Sequence, residues 1–221
     1  DYNTANGSFA LYANTTGSWN TATGYQALYT NSSGAENTAT GYLALQDNAS
    51  GAYNTASGSR ALKQNYGSYN TASGSRALEE NTNGTNNTAV GTYALWQNKL
   101  GSANTAVGDY ALKEFRGTNV DDGTYNTAVG RASQRGPSGS YHTGTRNTSV
   151  GAGSMKVIID GNYNTAVGYW SQYGSSITGD KNNSLGAYSL KDLVGGEGNT
   201  AIGYESAQNI TNGDHNVAVG N

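Results

Sequence analysis

Polar and small positions, rather than large apolar ones, set the rhythm of this chain. The pentapeptide Asn-Thr-Ala-x-Gly, or a close variant, begins at Asn3, Asn20, Asn37, Asn54, Asn70, Asn87, Asn104, Asn126, Asn147, Asn164, Asn182, Asn199 and Asn216. Ten of the twelve intervals are 16 to 18 residues; the exceptions, from Asn104 and from Asn126, are 22 and 21. Repetition at a fixed short period predicts a solenoid whose units stack on one another. Within a repeat such as 20–36, Asn-Thr-Ala-x reads as a short strand closed by Gly. A second strand-like piece, Tyr25-Gln26-Ala27-Leu28, is followed by an Asn-x-x-Gly turn signature.

Strand side chains alternate between faces. Asn20 and Ala22 therefore share one face, and Thr21 and Thr23 the other. About 17 residues per coil suits a flattened two-sheet roll with an interior of small side chains. The third residue after the Gly supports this: Ala10, Ala27, Ala44, Ala61, Ala77, Ala94 and Ala111, then Ser133, Ser154, Ser171, Ser189 and Ser206. The next column runs Leu11, Leu28, Leu45, Leu62, Leu78, Leu95 and Leu112, then Gln134, Met155, Gln172, Leu190 and Ala207. In a small-residue roll this Leu column needs cover from a neighbouring chain or a turn. The Asn column is expected to form a ladder of side-chain amides, each bonding the rungs above and below.

The outer face of the strand carries Thr in its first column from Thr4 to Thr165. Its second column is Asn6, Thr23, Thr40, Ser57 and Ser73, then Val90, Val107, Val129, Val150, Val167, Leu185, Ile202 and Val219. Eight successive apolar residues on one sheet face form a stripe that a monomer rarely leaves in water. Three copies burying it around a common axis would form a fibre. The polar first five rungs imply a wetter axis there.

The repeat, with Thr88-Ala89-Val90-Gly91 and Thr200-Ala201-Ile202-Gly203 as its fullest matches, resembles the head repeat of trimeric autotransporter adhesins. The likeness spans essentially the whole chain. It implies a left-handed parallel β-roll assembled as a homotrimer, with the large strand residue toward the trimer axis and the small one inside. The period here is longer than that family's, and the early rungs put Thr or Ser where it has an aliphatic residue. Similar arrays occur in phage tail fibres.

Composition narrows the function classes. The 221 residues include 32 Gly, 17 Tyr, one Pro and no Cys, with 12% charged residues and a net charge of −3. Strict periodicity and low charge argue against a disordered coil despite the Gly, Ser, Asn and Thr content. No Cys means no disulfide scaffold and no Cys zinc site. Two His, His142 and His215, leave little material for a nucleophilic triad or His-rich metal site. His215, just before its Asn, reads as a surface residue. Asp121-Asp122-Gly123 lacks the alternating acids of a calcium loop, and a net-negative chain without a basic stripe is not expected to bind nucleic acid. No apolar run approaches the roughly 20 residues of a membrane span. Neither an enzyme nor a cofactor or metal is expected. Sequons such as Asn14-Thr15-Thr16 and Asn31-Ser32-Ser33 arise by chance in this composition.

What remains is surface. Aromatic residues precede many of the Asn (Tyr2, Trp19, Tyr53, Tyr69, Tyr125, Tyr163) and follow many of the Gly (Tyr25, Tyr42, Tyr93, Tyr110, Tyr169, Trp170, Tyr188, Tyr204). They serve either to shield roll edges or to offer rings to glycans. The two long rungs add loops at 113–125 and 134–146, carrying Phe115, Arg116, Asp121 and Asp122, and Arg135, Tyr141, His142 and Arg146 as candidate ligand-binding residues. Insertions in solenoids go to loops on one face, often the binding face. The expectation is an all-β fold, one continuous solenoid domain over 1–221 of about thirteen coils, roughly 60 Å long at about 4.8 Å per coil. It reads as a segment of a longer extracellular protein at a cell or virion surface, self-associated, with a host-surface glycan or protein as partner. A tail-fibre shaft and an ice-binding solenoid are the alternatives.

Overall fold

The computed structural model describes residues 2–115, 119, 122–137, 142–174 and 176–221. It is an all-β parallel solenoid, and among the described residues there is no helix. Thirteen three-residue strands form one sheet: β1 (Thr4–Asn6), β2 (Thr21–Thr23), β3 (Thr38–Thr40), β4 (Thr55–Ser57), β6 (Thr71–Ser73), β8 (Thr88–Val90), β9 (Thr105–Val107), β10 (Thr127–Val129), β11 (Thr148–Val150), β12 (Thr165–Val167), β13 (Asn183–Leu185), β14 (Thr200–Ile202) and β15 (Val217–Val219). Two further strands, β5 (Gln64–Asn65) and β7 (Glu80–Asn81), pair in a second, short sheet. Every pairing in the larger sheet is parallel and in register, with the Thr position on the Thr position and the Ala position on the Ala position, across the 22- and 21-residue intervals as across the others. The extra residues of the long rungs therefore leave the strands undisturbed.

The second strand expected at Tyr25–Leu28 is absent; residues 24–30 form a turn. Its geometry depends on left-handed residues that are not glycine. Gln26 has φ 52°, Leu28 has φ 51°, and Glu36, before the next Asn, has φ 56°; the same three positions recur in rung after rung. Such a conformation costs an L-residue roughly 1–2 kcal/mol. The compensation lies in the backbone. Gln26 N–H donates to Ser8 O, Leu28 N–H to Ala44 O and Glu36 N–H to Ser18 O, each at 3.0 Å. The left-handed turns aim peptide groups along the stack, so inter-rung hydrogen bonding continues through the corners.

They also correct the expected interior. Leu28, Leu45, Leu62, Leu78, Leu95 and Leu112 are fully buried within the single chain, as are Ala27, Ala44, Ala61, Ala77, Ala94 and Ala111 beside them. Alternation would have put one of each pair outside. A left-handed Leu instead turns inward with its neighbour, so the roll holds large aliphatic residues and needs no partner to cover them.

The Asn column is buried, but it is chiefly a ladder from side chain to main chain. Asn20 Oδ1 accepts the backbone N–H of Asn37 at 3.0 Å, and Asn20 Nδ2 donates to Gly34 O at 2.8 Å. A second column, spaced eleven positions later, makes the direct amide ladder: Asn31 Nδ2 donates to Asn14 Oδ1 (2.8 Å), Asn48 to Asn31 (2.9 Å), Asn65 to Asn48 (2.8 Å), Asn81 to Asn65 (2.7 Å) and Asn98 to Asn81 (2.9 Å). Two glycine columns permit this closeness. A Cβ on Gly24 (φ 129°) would sit 2.5 Å from Gly41 O, and one on Gly34 would strike Gly51 O and the Asn31 amide.

From the seventh rung the interior changes. Phe115, Ile158, Ile177 and Leu193 fill the corner that the second Asn column had occupied, while Ser133, Gln134, Ser154 and Gln172 enter where Ala and Leu had been. Ser154 Oγ donates to Ala166 O (3.0 Å) and Ser189 Oγ to Ala201 O (3.1 Å). Gln134 Oε1 and Gln172 Oε1 are buried without a hydrogen-bond partner.

Candidate binding surfaces

The strand face opposite the interior is the largest regular surface. In β2 to β4 the outward residues are Thr21 and Thr23, Thr38 and Thr40, Thr55 and Ser57, with Ala22, Ala39 and Ala56 pointing inward and buried. From β8 onward the second outward residue is apolar. Val90, Val107, Val129 and Val150 remain 40%, 38%, 37% and 39% exposed, Leu185 52% and Ile202 43%. Val167 is half-buried and Val219 exposed. In-register pairing aligns these eight residues in one row, with a shallow apolar depression among Thr165, Val167, Leu185, Thr200 and Ile202.

The two long loops divide. Phe115 and His142, read from sequence as loop ligands, are buried and stacked on each other at 5.6 Å. They plug the corner where the Asn ladder ends, and serve packing rather than an exposed site. Asp122 accepts Asn119 N–H (2.9 Å) and closes a local turn. Arg146 is exposed, and its guanidinium lies between the Tyr125 and Tyr163 rings at 5.3 and 5.4 Å. Arg135 lies against the Tyr110 ring at 5.7 Å, away from Arg146's column. Arg116, Asp121 and Tyr141 lie outside the described residues. Among the described candidates, Arg135 and Arg146 lie against different aromatic columns. Among the described residues no group of three or more His, Asp or Glu is placed to hold a metal ion, and no helix is long and apolar enough to cross a membrane.

The aromatic columns stack in the early and middle rungs, whereas Tyr169, Tyr188 and Tyr204 meet edge-on at 84°. Tyr53 and Tyr69 lie 4.9 Å apart and nearly parallel, Tyr25 and Tyr42 5.7 Å, Tyr93 and Tyr110 5.4 Å. A glutamate interrupts the column before Tyr53, and its hydrogen bond and charge push the Tyr53 hydroxyl above its ordinary range. Glu205 does the same to Tyr204. Glu197 accepts Lys181 Nζ at 2.6 Å and holds that exposed ammonium protonated to higher pH. His215 is exposed, in the left-handed position before its Asn. Of the sequons, Asn31 is fully buried in the amide ladder and presents no amide to a modifying enzyme.

Sequence reasoning missed a further column, the residue after the Leu position: Tyr12, Tyr29, Gln46, Lys63, Glu79, Trp96, Lys113, Arg135, Lys156, Tyr173 and Lys191. It lies beside the Arg60, Arg76, Tyr93 and Tyr110 column. Glu79 lies 3.8 Å from both Arg60 and Arg76 and accepts Trp96 Nε1–H at 2.8 Å. Lys113 Nζ lies within 6 Å of the Tyr93, Trp96 and Tyr110 rings. Cations spaced one rung apart were the available signal, hidden by reading each repeat separately. No protein-family model matches the chain, and no curated protein is significantly similar to it.

Proposed function

We propose that this chain is a rigid fibre segment that self-associates through its Thr/Val strand face, as a left-handed roll in a homotrimer. It acts as the stalk or head of an adhesin at a cell or virion surface, holding a binding surface away from its base. The observation carrying this is the in-register row of eight apolar residues from Val90 to Val219, exposed on the face opposite a complete interior. The Leu column needs no partner, so the Val row is what association would bury. Full burial of such a side chain stabilises by about 1.5–3 kcal/mol, and these begin mostly half covered, so the row offers on the order of 5 kcal/mol per chain. A mechanical role needs no catalytic centre and no cofactor.

Light scattering on the purified chain tests this directly. A trimeric mass that Val129→Asp/Val167→Asp reduces to a monomer is the expected result. A monomer indifferent to those substitutions would overturn self-association. A tail-fibre shaft has the same architecture and the same expected mass.

One observation favours a second reading. The Thr21/Thr23 and Thr38/Thr40 pairs form a regular hydroxyl array on an exposed face, a geometry suited to ordering water on ice. Thermal hysteresis by a monomeric protein would support it; freezing at the equilibrium point would end it.

A further inference from the structure

Three cations follow Trp96 in its column. Backbone bonds fix the neighbours: Gln97 N–H donates to Lys113 O, Glu114 N–H to Arg135 O and Gly136 N–H to Lys156 O. Lys113, Arg135 and Lys156 thus sit on adjacent rungs, about 4.8 Å apart, between Trp96 on one side and Tyr173 on the other. Like charges directly opposite on neighbouring strands repel. Lys113 is relieved by Glu114, 3.3 Å away, and by the Trp96 ring at 5.1 Å. Lys156 lies 3.3 Å from Tyr173 Oη and 5.3 Å from the centroid of that ring. Among the described residues Arg135 has the face of Tyr110 alone, and its Nε–H is buried with no acceptor. Among the described residues no carboxylate lies within ion-pair distance of Arg135 or Lys156. Two cations on adjacent rungs with no carboxylate partner repel each other, and an anion laid across both would offset that repulsion.

We infer that the Trp96–Lys113–Arg135–Lys156–Tyr173 column binds a linear acidic glycan laid along the stack. Its carboxylates or sulfates meet Arg135 and Lys156, and sugar CH faces pack on the terminal rings. The flanking acids argue for this ligand over nucleic acid. Glu79 belongs to the same column one rung before Trp96 and Glu114 lies beside Lys113, and duplex DNA carries a charge about every 1.7 Å, far denser than one cation per rung. An acidic glycan spaces its charges more widely and also presents apolar CH faces, and this column sets three cations on consecutive rungs between two rings. The inference rests on the adhesive part of the function proposed above, and not on self-association.

Isothermal titration with polygalacturonate, heparin, neutral dextran and duplex DNA tests it, with light scattering and circular dichroism on the same samples. Polygalacturonate or heparin should bind, more weakly as salt rises; which of the two binds tells carboxylate from sulfate recognition. Arg135→Gln/Lys156→Gln should weaken binding at least tenfold with fold and mass unchanged. Lys156→Gln alone should weaken it less, and Lys181→Gln, a cation elsewhere on the surface, should leave it unaltered. Failure to bind either acidic glycan, equal binding by the double variant, or preference for DNA would overturn the inference. A monomer that still binds would refute self-association and leave this site standing.

Discussion

The first five rungs and the later eight share one backbone and one register, yet differ on both faces of the strand sheet. Outside, Asn6, Thr23, Thr40, Ser57 and Ser73 give way to the row from Val90 to Val219. Inside, the direct amide ladder ends at Asn98, and Phe115 and then Ile158 and Ile177 take its corner. The two changes occur one rung apart. The outward change costs the isolated chain little, because those side chains contribute nothing to the interior. The inward change is balanced, since amide and hydroxyl groups move from the corner to the Ala and Leu columns as aliphatic groups replace the Asn. A ladder of amides is all or none: each member satisfies the next, and Asn104 Nδ2 reaches back at 3.4 Å to Asn98 Oδ1 at the point where the run stops.

Exchanging residues between the two regions should break this logic most severely at the corner. Asn48→Leu places there a residue type found at the same corner in Leu193, but it removes the Nδ2 bonds to Asn31 Oδ1 and Gly51 O and the acceptor for Asn65. Stranding buried amides should cost about 3 kcal/mol or more, read by urea unfolding. A cost below about 1 kcal/mol would mean that continuity of the ladder is not what holds the corner.

The converse exchange should stabilise. Gln172→Leu restores the N-terminal interior and removes the partnerless Oε1, while losing the Nε2 bonds to Asn182 O at 3.1 Å and to Thr165 O at 3.3 Å. A gain of less than about 1 kcal/mol is expected, the relief of the orphaned acceptor being partly offset by the loss of this shared donor, and is seen as a higher denaturation midpoint. Smaller again is the effect on the outer face. Ser57→Val/Ser73→Val extends the apolar row toward the N-terminus and should move single-chain stability by less than about 0.5 kcal/mol. It should, however, tighten association as measured by sedimentation, and unchanged association would place the interface elsewhere. Smallest is a pH effect. Partial burial pushes the Asp47 carboxyl up against a weaker opposing pull from Lys63. The folded state therefore favours the protonated acid, and stability falls as pH rises from below the ordinary carboxylate range through the raised value. Asp47→Asn should remove that fall, giving a flatter melting temperature across mildly acidic pH.

Much of this comparison was legible beforehand. The strand position, its inward Ala and its outward Thr/Val column followed from Asn-Thr-Ala-x-Gly and alternation alone. Tyr25 to Leu28 misled because a period of two assumes extended backbone, and Gln26 and Leu28 are left-handed. No composition signal marks a left-handed Leu, although Gly153 and Gly198 occupy two of the recurring left-handed positions with φ 66° and 69°. The second amide ladder was visible as an Asn recurring from Asn14 to Asn98, but Asn-x-x-Gly also signals an ordinary turn. The inward placement of Phe115 and His142 was not legible, because it answers to the corner they fill, a demand made by neighbouring rungs rather than by the loops themselves.

The main-chain Asn ladder has a direction. Each Oδ1 accepts from the rung that follows it in sequence: Asn3 from Asn20, Asn20 from Asn37, and so on to Asn216. A chain emerging N-terminus first thus meets at every step an acceptor already oriented by the rung before it. Once the first coils exist, elongation is templated, and each new coil adds a similar increment of stability at whatever length the array has reached. Such a structure can be lengthened or shortened by whole repeats without redesign, as a thread is cut to measure.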